Sequence, residues 1–119
     1  KTFVLYLPDN EIHELGLMFL NYEILSKGYQ SIFLGQSIPI FSLKDLVPLY
    51  DNIVFVSYFT VQPDKENIMA YLNNFHDMLL KDTASELWIS GKMLQEINKS
   101  NLPKTIVAFS QIDQLVQNL

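Results

Sequence analysis

The chain has 119 residues, 49% of them hydrophobic, and its 13 acidic and 8 basic side chains give a formal net charge of −5. This length favours one domain, the apolar fraction excludes a disordered chain, and the acidic balance argues against nucleic-acid binding by these residues alone. Cysteine is absent, which excludes a disulfide framework and a thiolate metal site and fits a reducing compartment such as the cytoplasm.

The first half of the chain predicts two strands, each followed by a helix. Residues 3–7 form an apolar run typical of a buried strand. Over residues 11–27 an apolar stripe recurs at intervals of three and four, which predicts a helix that Gly28 ends; its members are Ile12, Leu15, Phe19 and Tyr22. Residues 31–34 predict a second strand, and residues 42–45 resemble a capping box that begins a short second helix.

The second half continues the alternation. Residues 52–57 predict a central third strand, and the apolar face that follows Pro63 predicts a helix of about 18 residues. Residues 86–89 predict a fourth strand, which a short helix follows. Residues 105–109 predict a fifth strand, and apolar residues spaced up to Leu119 predict a terminal helix.

This alternation of apolar strands and helices predicts an α/β fold with a parallel sheet, because parallel strands need crossover connections. We expect a single flavodoxin-like (Rossmann-like) domain over residues 1–119, with five strands in the order 2-1-3-4-5 and helices on both faces. Ligands of such sheets bind beyond the carboxyl ends of the strands. The functional residues should therefore lie in the loops at residues 8–16, 35–39, 57–63 and 90–92.

The first of these loops holds the strongest candidate for chemistry. His13 lies about where the first helix is expected to begin, and Glu11 is close enough to accept one imidazole N–H. Such a contact fixes the tautomer and makes the other ring nitrogen a better metal ligand. Gly16 removes a side chain about one turn later, which allows a flat, bulky group to approach. On these residues alone, an ordinary surface histidine at a helix start is the alternative.

Motifs at three strand ends resemble those of a known family of cobalamin-binding domains. Glu11-x-His13-x-x-Gly16 is similar to the family's D/E-x-H-x-x-G signature, in the glutamate form of MerR-type regulators that respond to light or cobalamin. The run from His13 to Leu17 and the later Gly35-x-x-x-Pro39 also resemble that branch. Ser57-Tyr58-Phe59 occupies the place of the S-x-L motif, and Ser90-Gly91 that of the G-G motif. The resemblance covers nearly the whole chain.

The resemblance implies a role for each of these residues. His13 would replace the cofactor's own dimethylbenzimidazole and coordinate cobalt from below, while Glu11 holds the imidazole ring. Gly16 would leave room for the corrin ring, and Gly35 belongs to the neighbouring loop. Ser57 would hydrogen-bond the nucleotide tail beside Phe59, which replaces the family's leucine. Gly91, with Ser90 in place of the first glycine, would let that tail pass close to the backbone.

By this resemblance the chain is a non-enzymatic sensor that binds adenosylcobalamin or methylcobalamin. It would be the C-terminal part of a longer MerR-like transcriptional regulator, a photoreceptor or cobalamin sensor in the cytoplasm. DNA would be contacted only through a domain outside these residues, no membrane association is expected, and a homo-oligomer is left open. Two alternatives remain: the cobalamin carrier of a mutase or corrinoid methyltransferase, and a degenerate domain that no longer binds cobalamin.

Three other sequence features could have a functional role or an ordinary structural one. The apolar run at residues 58–61 follows a strand end, where it either lines a ligand site or packs under the next helix. His76 has no neighbour of metal-ligand type in the sequence and is expected to be a surface histidine. Trp88 lies within the fourth strand and is expected in the core.

Overall fold

The computed structural model describes residues 1–119, which form a five-stranded sheet with helices on both faces. The strands are β1 (Thr2–Tyr6), β2 (Gln30–Gly35), β3 (Ile53–Tyr58), β4 (Glu86–Ser90) and β5 (Ile106–Ala108). Their order is β2-β1-β3-β4-β5, and every neighbouring pair is parallel. The fold class and the strand order expected from the sequence are therefore confirmed.

Three α-helices and several short turns connect these strands, and a fourth α-helix follows β5. The helices are α1 (Leu15–Ser26), α2 (Ile40–Leu43), α3 (Ile68–Phe75) and α4 (Ile112–Gln117). A 3-10 helix, Lys44–Leu49, follows α2, a π-helical turn, His76–Leu80, extends α3, and 3-10 turns at Lys92–Glu96 and Lys99–Asn101 follow β4. No helix is both long and apolar enough to cross a membrane.

The sheet separates two hydrophobic cores, because alternate side chains of each strand point to opposite faces. On one face Tyr6 and Phe55 pack with α2 and α3, and Phe75 of α3 stacks on Tyr6 with ring centroids 5.7 Å apart. On the other face Phe3 and Trp88 pack with α1 and α4. Trp88 is buried, so its predicted place in the core is confirmed.

Helix α1 begins at Leu15, so the predicted start at residue 11 was wrong. The backbone of Asn10 is left-handed, with φ 68°, and the Glu11 side chain turns inward to accept hydrogen bonds from another loop. These contacts hold residues 11–14 outside the helix. Its end agrees with the prediction, since Gly28 follows the C-cap with φ 86°.

The apolar stripe predicted for this helix faces away from the core. Its members Ile12, Leu15, Phe19 and Tyr22 are all exposed. A second set of apolar residues packs on the sheet instead: Leu17, Leu20 and Ile24. The helix is therefore apolar on two sides, and spacing alone did not identify the side that is buried.

Three other boundaries differ from the predictions. Helix α2 begins at Ile40, directly after the extended Pro39, so Ser42 lies inside it and caps nothing. Helix α3 has 8 residues followed by the 5 of its π-helical turn, fewer than expected, because the segment before Ile68 is held as a loop. The segment after β4 forms 3-10 turns rather than an α-helix.

Candidate functional site

The candidate site lies at the carboxyl edge of the sheet, where the loops after β1, β3 and β4 meet. Glu11 and His13 belong to the first loop, residues 59–62 to the second, and Gly91 to the third. The order β2-β1-β3 puts the strand reversal beside β1, which brings the first two loops together. The site residues therefore converge although as many as about eighty positions separate them in the chain.

Glu11 joins two of these loops through its carboxylate. The side chain is fully buried, and Oε1 accepts hydrogen bonds from the backbone N–H groups of Thr60, Val61 and Gln62 at 3.1, 2.6 and 2.9 Å. Three successive N–H groups that converge on one oxygen form an anion-binding nest. The loop after β3 is thereby fixed to the loop after β1.

The other oxygen of Glu11 holds His13, as predicted from their spacing. Oε2 accepts the His13 backbone N–H at 3.0 Å and lies 2.7 Å from Nδ1 of the ring. An ionised carboxylate can only accept a hydrogen bond, so Nδ1 carries the proton and donates it. In the neutral imidazole this tautomer leaves the lone pair of Nε2 free, and the His13 side chain is 55% exposed. This is the arrangement of a histidine prepared to ligate a metal.

The environment of Glu11 keeps it ionised. Burial opposes ionisation and would raise the pKa of Glu11, but hydrogen bonds from the backbone of Gln62, Val61 and His13 and from the His13 ring outweigh it. They lower the pKa from 4.5 to about 2. Glu11 therefore remains a hydrogen-bond acceptor at any pH near neutrality.

No group of three or more His, Cys, Asp or Glu side chains could hold a bare metal ion anywhere in the chain. His13 offers a single nitrogen, with its carboxylate partner turned to the other side of the ring. A metal bound here would have to bring most of its own ligands. This donor set fits a metal held within a macrocycle and does not fit a bare zinc or iron ion.

Gly16 lies under the aromatic ring of Tyr58. A Cβ on Gly16 would approach ring carbons of Tyr58 to 2.9 Å, so the glycine makes room for a side chain of the protein itself. Tyr58 is half-buried at the end of β3. In this structure the space predicted for a bulky group beside Gly16 is filled by Tyr58.

The two serines of the motifs are used within the sheet. Ser57 is fully buried, and its Oγ donates to the carbonyl oxygen of Tyr6 at 2.6 Å. Ser90 is also buried and donates to the carbonyl oxygen of Phe109 at 2.9 Å. Each hydroxyl thus bonds the carbonyl of an adjacent segment at the carboxyl edge of the sheet.

Phe59 and Gly91 form a tight backbone contact. The Phe59 ring is fully buried against Tyr71, with ring centroids 5.8 Å apart. The Phe59 N–H donates to Ser90 O at 2.9 Å, and Phe59 O accepts from Met93 N at 3.0 Å. A Cβ on Gly91, whose φ is 117°, would overlap the Phe59 backbone. Gly91 is therefore required by the protein's own chain, and the Phe59 ring belongs to the core.

Gly35 borders the first loop, where a Cβ on it would lie 3.0 Å from Glu14 Oε2, whereas His76 lies outside this arrangement. Gly35 ends β2, where its carbonyl accepts the Leu7 N–H at 2.9 Å. His76 is half-buried at the start of the π-helical turn that extends α3, with Nδ1 2.9 Å from Thr105 Oγ1. It is less exposed than the surface histidine expected from the sequence, and it takes part in a hydrogen bond that the sequence did not indicate.

A cleft of about 650 Å³ opens beside the motif residues at the ends of β3, β4 and β5. Tyr58, Ser90 and Gly91 line one part of it. The remainder includes Lys92 and Lys99 and the segment that leads into α4: Ser110, Gln111 and Ile112, the last being the first residue of that helix. The loop after β5 was not among those expected to hold functional residues, although a fifth parallel strand necessarily ends at the same edge.

No protein-family model matches the sequence, and no curated protein matches it. Solved structures do match its fold. The Methanosarcina barkeri monomethylamine corrinoid protein superposes with a TM-score of 0.75 at 10% identity, over 98% of this chain and 55% of that one. A cobalamin-binding protein from Desulfitobacterium hafniense superposes with a TM-score of 0.70 at 12% identity, over 98% of this chain and 56% of that one.

A third match is the methanol:cobalamin methyltransferase complex of Methanosarcina barkeri, with a TM-score of 0.69 at 14% identity. It covers 99% of this chain and 47% of the matched one. The chain thus spans about half the length of the structures that it matches. Over that half, it has the fold of these corrinoid and cobalamin-binding proteins.

Proposed function

We propose that this chain is a cobalamin-binding domain in which His13 is the lower ligand of cobalt. The observation that carries the proposal is the Glu11–His13 pair. An ionised, buried carboxylate holds the Nδ1–H, and Nε2 is left free at the ligand-binding edge of the sheet. The fold shared with corrinoid proteins supports the same ligand.

The remaining residues fit a corrinoid in complementary ways. Cobalamin supplies a cobalt centre that already has four corrin nitrogens and an exchangeable upper ligand, so one histidine suffices from the protein. The cleft of about 650 Å³ has the size of a small-molecule site and lies beside Ser90 and Gly91, where the nucleotide tail would be held. A corrin ring that approached Gly16 would have to displace the Tyr58 ring, which now fills that space.

For the role of the whole protein we propose a MerR-like sensor, possessing a DNA-binding domain outside these residues. The glutamate at position 11 and the run from His13 to Leu17 support this role. The carrier domain of a corrinoid methyltransferase is the second candidate, which the structural likeness to a corrinoid protein and a methyltransferase complex favours. Any coding sequence that precedes Lys1 would discriminate them, since DNA-binding helices there would support the sensor and a helical bundle without them would support the carrier.

Visible spectroscopy of the purified protein with hydroxocobalamin tests the ligation. We expect binding to replace the base-on spectrum by that of a histidine-ligated cobalamin, and His13→Ala to abolish this change. His76→Gln is the matched control, because it alters the other histidine and keeps a hydrogen-bonding side chain near Thr105. A base-on spectrum that persists with the wild-type protein would contradict ligation by His13, and absence of any binding would favour the degenerate domain.

A further inference from the structure

Helix α1 is apolar around most of its circumference. Its inner residues Leu17, Leu20 and Ile24 are buried against the sheet. Its other side is also apolar, and Leu15 and Tyr22 there are 84% and 67% exposed. We call this side, together with one residue of β2, the outer α1 face; it consists of Leu15, Met18, Phe19, Tyr22, Leu25 and Phe33. A helix that is apolar all round is normally covered on all sides.

No element of this chain covers the outer α1 face. Helix α4 packs beside α1 over the same face of the sheet, and β2 is the edge strand on the other side. Between α1 and β2 runs an apolar groove of about 380 Å³, lined by Met18, Tyr22, Leu25 and Phe33 with Asn21. The face therefore combines a ridge of large side chains with a groove directly beside it.

The size of this face is that of a protein interface. Its six large apolar side chains are between 38% and 84% exposed. Together they present on the order of 700 Å² to solvent, against about 800 Å² per partner in a standard interface. Single exposed apolar residues are ordinary, whereas a contiguous patch of this size marks a site of association.

We propose that the outer α1 face binds the same face of a second copy of this chain, about a two-fold axis that passes near the middle of α1. A two-fold interface needs one surface that complements itself. The ridge of one copy can enter the groove of the other, because both features lie side by side on each copy.

Charge also favours a second copy over a charged partner. None of the six side chains carries a charge, so a basic or acidic partner would find no counter-charge on this face. Two copies of net charge −5 repel each other. An interface without charged side chains leaves the charges of the two copies farther apart, which weakens this repulsion. The proposal does not require cobalamin binding, since the face runs along the side of α1 and only Leu15, at the start of the helix, lies near the edge that holds His13.

Sedimentation equilibrium of the 119-residue protein, without cobalamin, tests this interface. We expect a concentration-dependent mass that approaches twice the 13.8 kDa of the chain. Tyr22→Glu and Leu25→Glu should each weaken the dimer at least tenfold, since a buried carboxylate would face its own copy near the axis. Phe41→Glu is the matched control, because Phe41 is 76% exposed on α2, across the sheet from α1, and should leave the dimer unchanged.

A second measurement uses the absence of cysteine from the chain. Single-cysteine variants Phe19→Cys and Tyr22→Cys should form disulfide-linked dimers under mild oxidation, and Phe41→Cys should not. Circular dichroism verifies that each variant is folded. A wild-type protein that stays monomeric at all concentrations overturns the proposal, and so does a dimer that Phe41→Glu dissociates and the α1 variants do not.

Discussion

Glu11 receives five hydrogen bonds with one carboxylate, three from the backbone of residues 60–62 and two from His13. Its two oxygens serve different loops, so the side chain must reach across the gap between them. The extra methylene of glutamate compared with aspartate gives this reach. The position of His13 is consequently tied to the loop after β3 and does not depend on its own loop alone.

Removal of the Glu11 charge should destabilise the protein. The pKa of Glu11 is lowered from 4.5 to about 2, which corresponds to about 3 kcal/mol of folding free energy at neutral pH. We expect Glu11→Gln to lower the free energy of unfolding in urea at pH 7 by about 2–3 kcal/mol. Glu66→Gln, at an exposed acid that makes no hydrogen bond, should change it by less than about 0.5 kcal/mol.

The same contribution should depend on pH in one direction. A carboxyl whose pKa is depressed in the folded state stabilises that state above its unfolded pKa, and the stabilisation is lost as the pH falls toward the folded pKa. For Glu11 this window runs from about pH 4.5 down to about pH 2. The difference in the free energy of unfolding between the wild type and Glu11→Gln should therefore become smaller through that range. A difference that stays constant with pH would show that the carboxylate charge is not its source.

At this scale the sequence predicted the contact within one loop but not the contact between loops. The spacing of Glu11 and His13 indicated their hydrogen bond, because a carboxylate two residues away is within reach. The donors at Thr60, Val61 and Gln62 are backbone groups, which any residue types provide. No side-chain motif in the sequence could therefore predict that these backbone groups bind Glu11. For the same reason the sequence did not predict that the Ser57 hydroxyl donates a hydrogen bond to the Tyr6 carbonyl.

Among the elements, α1 and β3 are joined where the Tyr58 ring lies on Gly16. The glycine is the second residue of α1, and a Cβ there would lie 2.9 Å from the ring. Glycine is otherwise a poor choice in a helix, because alanine is more favourable by up to about 1 kcal/mol. The packing of Tyr58 therefore explains why glycine is accommodated at this position without reference to a ligand.

A double-mutant cycle tests this contact, because the effect of Gly16→Ala on the free energy of unfolding should change sign when Tyr58 is replaced. With Tyr58 present, Gly16→Ala should destabilise the protein, since the ring has to shift. In the Tyr58→Ala background the clash is absent, and Gly16→Ala should stabilise by up to about 1 kcal/mol through helix propensity. Urea unfolding of the four proteins measures the coupling, expected at about 0.5–2 kcal/mol. Additive effects would mean that the ring does not restrict Gly16.

Element types followed from sequence patterns, whereas several boundaries depended on distant residues. Strands β1, β3 and β4 were recognisable because burial on both faces leaves few polar positions, whereas the edge strand β2 is largely exposed. The start of α1 was set by the inward turn of Glu11, which involves a loop fifty residues away. The apolar stripe from Ile12 to Tyr22 fitted helical spacing, yet it is Leu17 and its neighbours that meet the sheet.

At the scale of the whole molecule, the strand order alone predicts the location of the site. Parallel strands bring all their carboxyl ends to one edge, so the three motifs had to converge. The strand order did not predict which side chains fill the space at that edge. Tyr58 fills the space beside Gly16, and the open cleft lies toward β5, lined in part by Ser110 to Ile112.

This division predicts that two parts of a cobalamin would be held by two separable parts of the protein. His13 would hold the cobalt, and the cleft beside Gly91 would hold the nucleotide tail. A ligand that binds only the folded state at a hundred times its Kd stabilises it by about 2.7 kcal/mol, which raises the Tm of a domain of this size by roughly 10 °C. Hydroxocobalamin should give such an increase with the wild-type protein.

Cobinamide, which retains the corrin ring and cobalt but lacks the nucleotide tail, separates the two contributions. At equal concentration it should raise the Tm less than hydroxocobalamin does in the wild-type protein. In His13→Ala the increase with hydroxocobalamin should fall, and cobinamide should have little effect, because neither the ligand nor the tail contact remains. Equal increases for both corrinoids in the wild type would mean that the cleft does not hold the tail, since a pocket that contributes to binding must discriminate against a ligand that lacks the group it contains.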